Sequence, residues 1–160
     1  MQASIQKIAT YLSFLVLSVV VASVGGWATS TSVETWYATL QKPSFNPPSW
    51  LFGPVWSILY LLIAISAGMI CQNKFHPLRN KAIFIYLLQL ILNLAWSFLF
   101  FYFQQLLWAF IEILLLGMMI GVTIILFYRI NRIASYLLIP YFLWVSFASL
   151  LNFFLFWLNR

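Results

Sequence analysis

Residues 82–103 read AIFIYLLQLILNLAWSFLFFYF and contain no charged side chain. A helix needs about 20 apolar residues to cross the ~30 Å hydrocarbon layer of a bilayer, and this stretch is long enough. Four other stretches, at roughly 5–26, 50–71, 106–128 and 134–157, are of similar length and apolar character. The sequence therefore predicts an all-α membrane protein, a bundle of five transmembrane helices, with residues 1–160 as a single domain.

The composition excludes a soluble domain, because 64% of the residues are hydrophobic and only 6% are charged. A soluble domain carries about 25% charged residues. The net charge of +6 comes from basic residues that lie between the apolar stretches. They do not form a basic patch interleaved with polar residues, so nucleic acid is not an expected partner. We therefore expect the chain to lie in a lipid bilayer. The first apolar stretch is longer than the core of a signal peptide, so we expect it to remain as a helix.

The basic residues also predict the orientation of the bundle. With five spans, the N-terminus shares one side with the loops that carry Lys74, Arg79, Lys81, Arg129 and Arg132, and Lys7 adds to that side. The other side holds Lys42, Arg160 and Glu34. The excess of Lys and Arg predicts a cytoplasmic N-terminus, with the long first loop and the C-terminus outside. We expect a bacterial cell membrane, since no extension precedes the first span.

Each of the last four spans carries one stripe of aromatic and polar side chains at helical spacing. The stripes comprise Trp56 and Tyr60; Gln89, Asn93, Trp96 and Ser97; Trp108, Glu112 and Thr123; and Tyr141, Trp144, Ala148 and Asn152. Lipid offers no hydrogen-bonding partner, so we expect all the stripes to face the bundle interior. Two interpretations remain open. The polar groups bond to one another and fix the helix packing, or they line a cavity for an amphipathic ligand.

Three smaller features add expectations about packing. Pro140 lacks a backbone N–H for the carbonyl of Tyr136, which predicts a kink in the fifth span. Gly117 and Gly121, like the seam of Ser18, Ala22 and Gly26, permit close helix contacts inside the bundle or in a homodimer. Glu112 is expected to have a structural role. No catalytic triad, phosphate-binding loop or metal-binding cluster is evident, Cys71 is the single cysteine, and His76 is expected to be a solvated loop residue.

Residues 36–60 read WYATLQKPSFNPPSWLFGPVWSILY. This stretch closely resembles the signature of the translocator protein family, also called tryptophan-rich sensory proteins. The likeness continues in Gln89-x-x-x-Asn93-x-x-Trp96 and in Pro140-Tyr141-x-x-Trp144-x-x-x-Ala148-x-x-x-Asn152. It covers nearly the whole chain.

The resemblance implies a five-helix bundle, often dimeric, with a ligand pocket between the helices that the first loop caps. Porphyrins such as protoporphyrin IX and drug-like lipophilic molecules are family ligands, and no cofactor is required. With Tyr60 and Trp96 added from the stripes, the expected ligand-binding residues are Trp36, Tyr37, Trp50, Trp56, Tyr60, Asn93, Trp96, Trp144, Ala148 and Asn152. Trp56 and Trp144 match two positions implicated in light-dependent porphyrin breakdown in some bacterial members.

The chemistry of these residues suits a flat aromatic ligand. Indole rings can stack on a porphyrin and can donate an electron to its excited state, and the absence of an axial ligand favours a metal-free porphyrin. Two departures matter: Glu112 replaces the aspartate of many relatives, and residues 150–160 have phenylalanine where the cholesterol-recognition stretch of animal members has tyrosine. Cholesterol binding is therefore not predicted.

The leading hypothesis is a membrane receptor or sensor that binds a porphyrin or another lipophilic small molecule and promotes light-dependent porphyrin degradation. The alternatives are a transporter of tetrapyrroles or other lipophiles and a porphyrin-degrading enzyme that uses light and oxygen.

Overall fold

The computed structural model describes residues 2–160, and in this range five helices are long and apolar enough to cross a membrane. The elements are α1 (Gln2–Ser30), α2 (Trp36–Thr39), a 3₁₀ turn (Ser49–Leu51), α3 (Phe52–Gln72), α4 (Arg79–Ser97), a π-helical segment (Phe98–Tyr102), α5 (Leu106–Ile130), α6 (Arg132–Tyr136) and α7 (Ile139–Leu158). The first four spans are α1, α3, α4 with its π-helical segment, and α5; α6 and α7 together form the fifth. The predicted all-α membrane bundle is confirmed.

The first span is longer than the sequence predicts, because α1 continues to Ser30 rather than ending near residue 26. The polar residues of its last turn remain helical by bonding to the helix itself. The Thr29 hydroxyl donates to the Gly25 carbonyl at 2.9 Å, and the Ser30 hydroxyl donates to the Trp27 carbonyl at 2.8 Å. The first loop is correspondingly shorter, and it contains α2.

The packing of the helices leaves space at one end of the bundle. The closest neighbours are α1 with α3, α4 with α5, and α5 with α7. Helix α3 meets the fifth span mainly at α6, at the end of the bundle that carries the loop between α3 and α4, and it contacts α7 only sparsely. The gap between α3 and α7 therefore opens toward the end that carries the first loop and the C-terminus.

The fifth span is interrupted rather than merely kinked. Helix α6 ends at Tyr136 and α7 begins at Ile139, so that Pro140 lies in the first turn of α7, where its missing N–H needs no intrahelical partner. Asn131 caps α6 by accepting a hydrogen bond from the backbone N–H of Ala134 at 3.1 Å. The Ser66 hydroxyl of α3 donates to the Ala134 carbonyl at 2.6 Å and so fastens α6 to its neighbour.

The expected inward orientation of Trp108 is wrong. Its side chain is 60% exposed, whereas Glu112 and Thr123 of the same stripe are buried. Trp108 lies in the first turn of α5, near the end of a span, where an amphipathic indole favours the bilayer interface. Neither carboxyl oxygen of Glu112 has a hydrogen-bond partner within the described residues.

The close helix contact of the α1 seam is made at Gly25 and not at the expected Gly26. A Cβ atom placed on Gly26 or Gly117 would meet nothing within 4 Å. On Gly25 the same atom would lie 3.2 Å from the Ser97 hydroxyl oxygen, so Gly25 permits the approach of α1 to α4. The homodimer remains a prediction.

Gly68 permits the tight contact between α1 and α3. It follows Ala64 and Ala67 on α3, and all three are buried. The Tyr11 ring of α1 lies directly over Gly68, in the space that a Cβ atom would occupy. Close packing of this kind tolerates no added methyl group unless the ring moves.

We predict that Gly68→Ala lowers the stability of the bundle by about 1–3 kcal/mol, the usual cost of overpacking a tight contact. The measurement is thermal unfolding of the purified protein in detergent. Gly117→Ala is the matched control, because the added methyl group meets no neighbouring atom. The double variant Tyr11→Ala/Gly68→Ala should recover much of the loss, and equal stability of Gly68→Ala and the wild type would contradict the contact.

Candidate ligand-binding cavity

A cavity of about 1020 Å³ lies in the half of the bundle that carries the first loop and the C-terminus. Its walls come from the last four turns of α1, the first turns of α3, the end of α4 with the π-helical segment, and α7. The first loop contributes Val33, Glu34, Tyr37 and Ala38, with Ser49 and Trp50 of the 3₁₀ turn. The cavity thus occupies the gap between α3 and α7.

Four tryptophans supply much of the aromatic wall: Trp50, Trp56, Trp96 and Trp144. Their neighbours are aromatic as well. The Trp56 and Tyr60 rings are 5.4 Å apart between centroids, the Trp144 and Phe52 rings are 6.0 Å apart, and Trp96 stacks on Phe100 at 5.1 Å. Rings held in this way present rigid flat surfaces of large area to a ligand.

A hydrogen-bonded network begins at the cavity wall and runs into the bundle. The Tyr60 hydroxyl donates to Asn93 Oδ1 at 2.5 Å, and Asn93 Nδ2 donates to the Tyr141 hydroxyl oxygen at 3.1 Å. The Tyr141 hydroxyl in turn donates to Gln89 Oε1 at 2.8 Å. The network joins α3, α4 and α7, so these polar groups fix the packing of three spans.

A second polar contact orients one wall of the cavity. The Trp96 indole N–H donates to Asn152 Oδ1 at 3.0 Å, while Asn152 Nδ2 donates to the Leu106 carbonyl at 3.0 Å. The amide of Asn152 is thereby shared between α4 and α5. The hydrogen bonds of the described residues do not use the indole N–H of Trp56 or of Trp144, which leaves both groups free for a ligand.

The structure brings together most of the predicted site residues. Those that line the cavity are Tyr37, Trp50, Trp56, Tyr60, Trp96, Trp144, Ala148 and Asn152. Trp36 does not line it, but its ring packs edge-on against Phe100 at 5.8 Å. Asn93 lies behind Tyr60, and both ends of its amide are occupied by the two tyrosines. Asn93 therefore supports the cavity wall from behind and does not line the cavity.

Sequence reasoning missed the contributions of α1 and the π-helical segment. Helix α1 lines the cavity with small residues that include Ala22 and Gly25, and the π-helical segment adds Phe100 and Phe101. The small-residue seam of α1 is the one sequence feature that marks this wall, and small residues of this kind predict close helix packing as readily as a cavity. No periodic pattern signals a π-helical segment, which often marks a functional site.

The first loop covers the cavity as a lid. Within the lid the Tyr37 hydroxyl donates to Asn46 Oδ1 at 2.9 Å, and the Lys42 ammonium group lies 4.7 Å from the Tyr37 ring centroid. At the start of the loop the Ser32 hydroxyl donates to the Phe101 carbonyl of the π-helical segment at 2.7 Å. Burial raises the pKa of Tyr37 above its ordinary value, although the bond to Asn46 opposes the shift. Tyr37 therefore remains a neutral donor at physiological pH.

The lid is also fastened to the C-terminal end of α7. The backbone N–H of Gln41 donates to Asn159 Oδ1 at 2.9 Å, and Asn159 Nδ2 donates to the Gln41 carbonyl at 2.9 Å. Phe45 packs edge-on against Phe154 of α7 at 5.4 Å. We call the reciprocal pair of bonds between Gln41 and Asn159 the lid latch.

The chemistry of the cavity is that of a binding site for an apolar molecule with a few polar groups. Within residues 2–160, no cluster of three or more His, Cys, Asp or Glu side chains is placed to hold a metal ion. The residues that line the cavity include no histidine, cysteine or methionine. Aromatic stacking and hydrogen bonding are the interactions that this wall supplies.

Comparisons with known proteins agree with this architecture. Residues 14–158 match the model of the TspO/MBR family. The chain is 45% identical over 136 residues to the tryptophan-rich protein TspO of Archaeoglobus fulgidus, an alignment that covers 84% of this chain and 87% of the relative. It is 38% identical to the protein of the same name from Chlorobaculum tepidum over 96% of this chain and 98% of the relative. It is also 37% identical to the translocator protein of Sus scrofa over 83% and 82% of the two chains.

The family match covers the first-loop motif, the aromatic walls of the cavity, the last four spans and the first span from residue 14 onward, and the chain therefore belongs to the TspO/MBR family of integral, multi-pass membrane proteins.

Proposed function

We propose that this protein is a membrane receptor that binds a porphyrin, or another flat lipophilic molecule, in the cavity beneath the first loop. The observation that carries the proposal is the concentration of four tryptophans in one covered cavity. A volume of about 1020 Å³ is at the upper limit of the roughly 300–1,000 Å³ that small-molecule sites occupy, and it suits a large ring system.

The surroundings of the cavity favour a ligand that arrives from the bilayer. The apolar side chains that line the cavity include Val19 of α1 and Leu61 of α3, and the spans that carry them stand in the bilayer. A lipophilic ligand is concentrated there, whereas a strongly polar one is not.

Receptor function fits the cavity better than transport. The name of the pig relative, translocator protein, implies movement of a molecule. In the described part of this chain the cavity is lined from one half of the bundle only, the half with the first loop. A cavity of this kind accounts for binding and release on one side, so we propose transport of a tetrapyrrole only as the second candidate.

We further propose that the N-terminus is cytoplasmic and that the lid faces the outside of a bacterial cell. The excess of Lys and Arg at the opposite end of the bundle supports this orientation. In a Cys71→Ser background expressed in intact bacteria, a membrane-impermeant maleimide should label Ser44→Cys in the lid but not Lys74→Cys. The reverse labelling pattern would contradict the orientation.

We predict that protoporphyrin IX quenches the tryptophan fluorescence of the detergent-purified protein saturably in the dark. The double variant Trp56→Phe/Trp144→Phe should bind about fivefold more weakly, since it replaces two indoles with smaller rings at stacking contacts worth about 0.5–1.5 kcal/mol each. Under illumination in oxygenated buffer, we expect a new absorbing product with the wild type that the double variant does not form.

Trp108→Phe is the matched control, because it removes an indole that is exposed on the outside of the bundle and does not line the cavity. It should bind and react as the wild type does. Binding without a defined product would favour a receptor over a degrading enzyme. The absence of saturable quenching, or equal quenching in the wild type and the double variant, would contradict porphyrin as the ligand of this cavity.

The lid latch yields a separate prediction about ligand exchange. Asn159→Ala removes both bonds to Gln41, each worth about 1 kcal/mol, so the lid should open on the order of tenfold more often. Hydrogen–deuterium exchange at the Gln41 amide should accelerate, and stopped-flow dissociation of protoporphyrin IX should become faster. Asn80→Ala, at the opposite end of the bundle, is the control. Unchanged amide exchange in the Asn159→Ala lid would show that the latch does not hold it.

A further inference from the structure

The charged side chains are distributed unevenly between the two ends of the bundle. The end that carries the loop between α3 and α4 has most of the basic residues: Lys7, Lys74, Arg79, Lys81, Arg129 and Arg132. The chain has two acidic residues, Glu34 in the lid and Glu112 near the second turn of α5, and both lie toward the opposite end. The basic end therefore has no carboxylate of this chain beside it, and its counter-charge comes from other molecules.

A groove of about 270 Å³ lies at this basic end, on the outer face of α4. Its lining residues follow the i, i+1, i+4, i+5 and i+8 spacing of one helical face and are Arg79, Asn80, Ile83, Phe84 and Leu87. We call it the α4 groove. Phe84 is 65% exposed and Leu87 is 38% exposed, so this face meets lipid. Leu87 lies about 12 Å further along the helix than Arg79, at the usual rise of 1.5 Å per residue. The groove thus has a basic end and a long apolar wall.

The side chain of Arg79 is held in one position by hydrogen bonds. Its Nε donates to the Cys71 carbonyl at the end of α3 at 3.2 Å, and its Nη1 donates to Asn80 Oδ1 at 3.0 Å. Its Nη2 contacts Cys71 Sγ at 3.6 Å. A guanidinium group carries five N–H donors, so two remain for a ligand. Because the side chain is already ordered, binding an oxyanion costs it less entropy than it costs a mobile lysine.

The first turn of α4 adds to the attraction for an anion. No side chain caps this end of the helix. The first N–H groups of a helix have no intrahelical acceptor and carry the positive end of the helix dipole. The neighbouring Lys81 contributes a further charge. These groups attract any anion, and the apolar wall of the α4 groove favours one that carries a hydrocarbon chain.

We propose that the α4 groove binds one anionic phospholipid from the leaflet at the basic end of the bundle. The phosphate accepts hydrogen bonds from Arg79, and one acyl chain lies along Ile83, Phe84 and Leu87. The headgroup has a net negative charge, as in phosphatidylglycerol, because a zwitterionic headgroup would bring another cation to a basic surface that has no carboxylate. Arg79 is the contact residue, and Asn80 is a positioning residue. The α4 groove shares no lining residue with the cavity, so the proposal does not depend on what the cavity binds.

The test is native mass spectrometry of the detergent-purified protein, titrated with dioleoyl phosphatidylglycerol or with dioleoyl phosphatidylcholine. The first phosphatidylglycerol should bind the wild type about tenfold more tightly than the first phosphatidylcholine, the effect of hydrogen bonds to a charged group. Arg79→Gln should abolish this preference. Arg129→Gln is the matched control, because it removes one positive charge from the same end of the bundle but does not alter the α4 groove. It should keep the preference.

A second pair of variants tests the apolar wall and leaves the bonds of Arg79 to α3 intact. Phe84→Ala should weaken the binding of phosphatidylglycerol about threefold, because the ring no longer contacts the acyl chain. Ile91→Ala is its control, since Ile91 is also 65% exposed on α4 but lies outside the α4 groove. Glycerol phosphate, which has the headgroup without acyl chains, should not displace the lipid at the same concentration.

Equal loss of preference in Arg79→Gln and Arg129→Gln would overturn the site and leave only a diffuse attraction by the basic end. Equal binding of the two lipids to the wild type would overturn it too, as would displacement by glycerol phosphate. Thermal unfolding shows whether Arg79→Gln folds. If it does not, the second pair decides, and equal binding of phosphatidylglycerol by Phe84→Ala and Ile91→Ala would contradict the proposal.

Discussion

The constraint on which this structure depends is that hydrocarbon offers no hydrogen-bond partner to a buried polar group. Each polar side chain in a span must find its partner inside the bundle. The network from Tyr60 through Asn93 and Tyr141 to Gln89 meets this requirement and joins three spans as it does so. The polar stripes thus fix the packing at one depth and border a cavity at another, and an amphipathic ligand in that cavity stays a prediction. The inner residues bond to one another, and the residues nearer the first loop face a cavity.

The cavity lies where α3 and the fifth span make few contacts. Ser66 fastens α6 to α3 at one end of the bundle, whereas α3 contacts α7 only sparsely. The gap that opens between α3 and α7 would cost packing energy if it were empty of side chains, and large indole and phenyl rings border it instead. The lid closes the open end through the latch to α7. The sparse contact between α3 and α7 therefore determines both how the helices pack and where the cavity lies.

The sequence predicts the spans well because hydropathy is a local property that each segment carries by itself. It also predicts most of the cavity wall, since the aromatic positions recur at helical spacing and match a specific motif. It fails where tertiary packing decides. Trp108 and Glu112 are four residues apart, yet only Glu112 is covered, because α7 packs on the Ala109 side of the first turn of α5 and leaves Trp108 on the outside. The wall formed by α1 and the π-helical segment likewise depends on contacts that no periodic pattern records.

The same constraint makes an unpaired polar atom more informative here than in a soluble protein. Water would satisfy a stray hydroxyl near the surface of a soluble domain, so its lack of a protein partner would carry little meaning. In a span, the usual solution is visible in the many hydroxyls that bond back to their own helix, a solution open to any serine or threonine. Glu112 departs from this pattern, because it is buried in α5 and neither of its carboxyl oxygens has a hydrogen-bond partner within the described residues. Its burial costs free energy that the packing of the surrounding spans must offset.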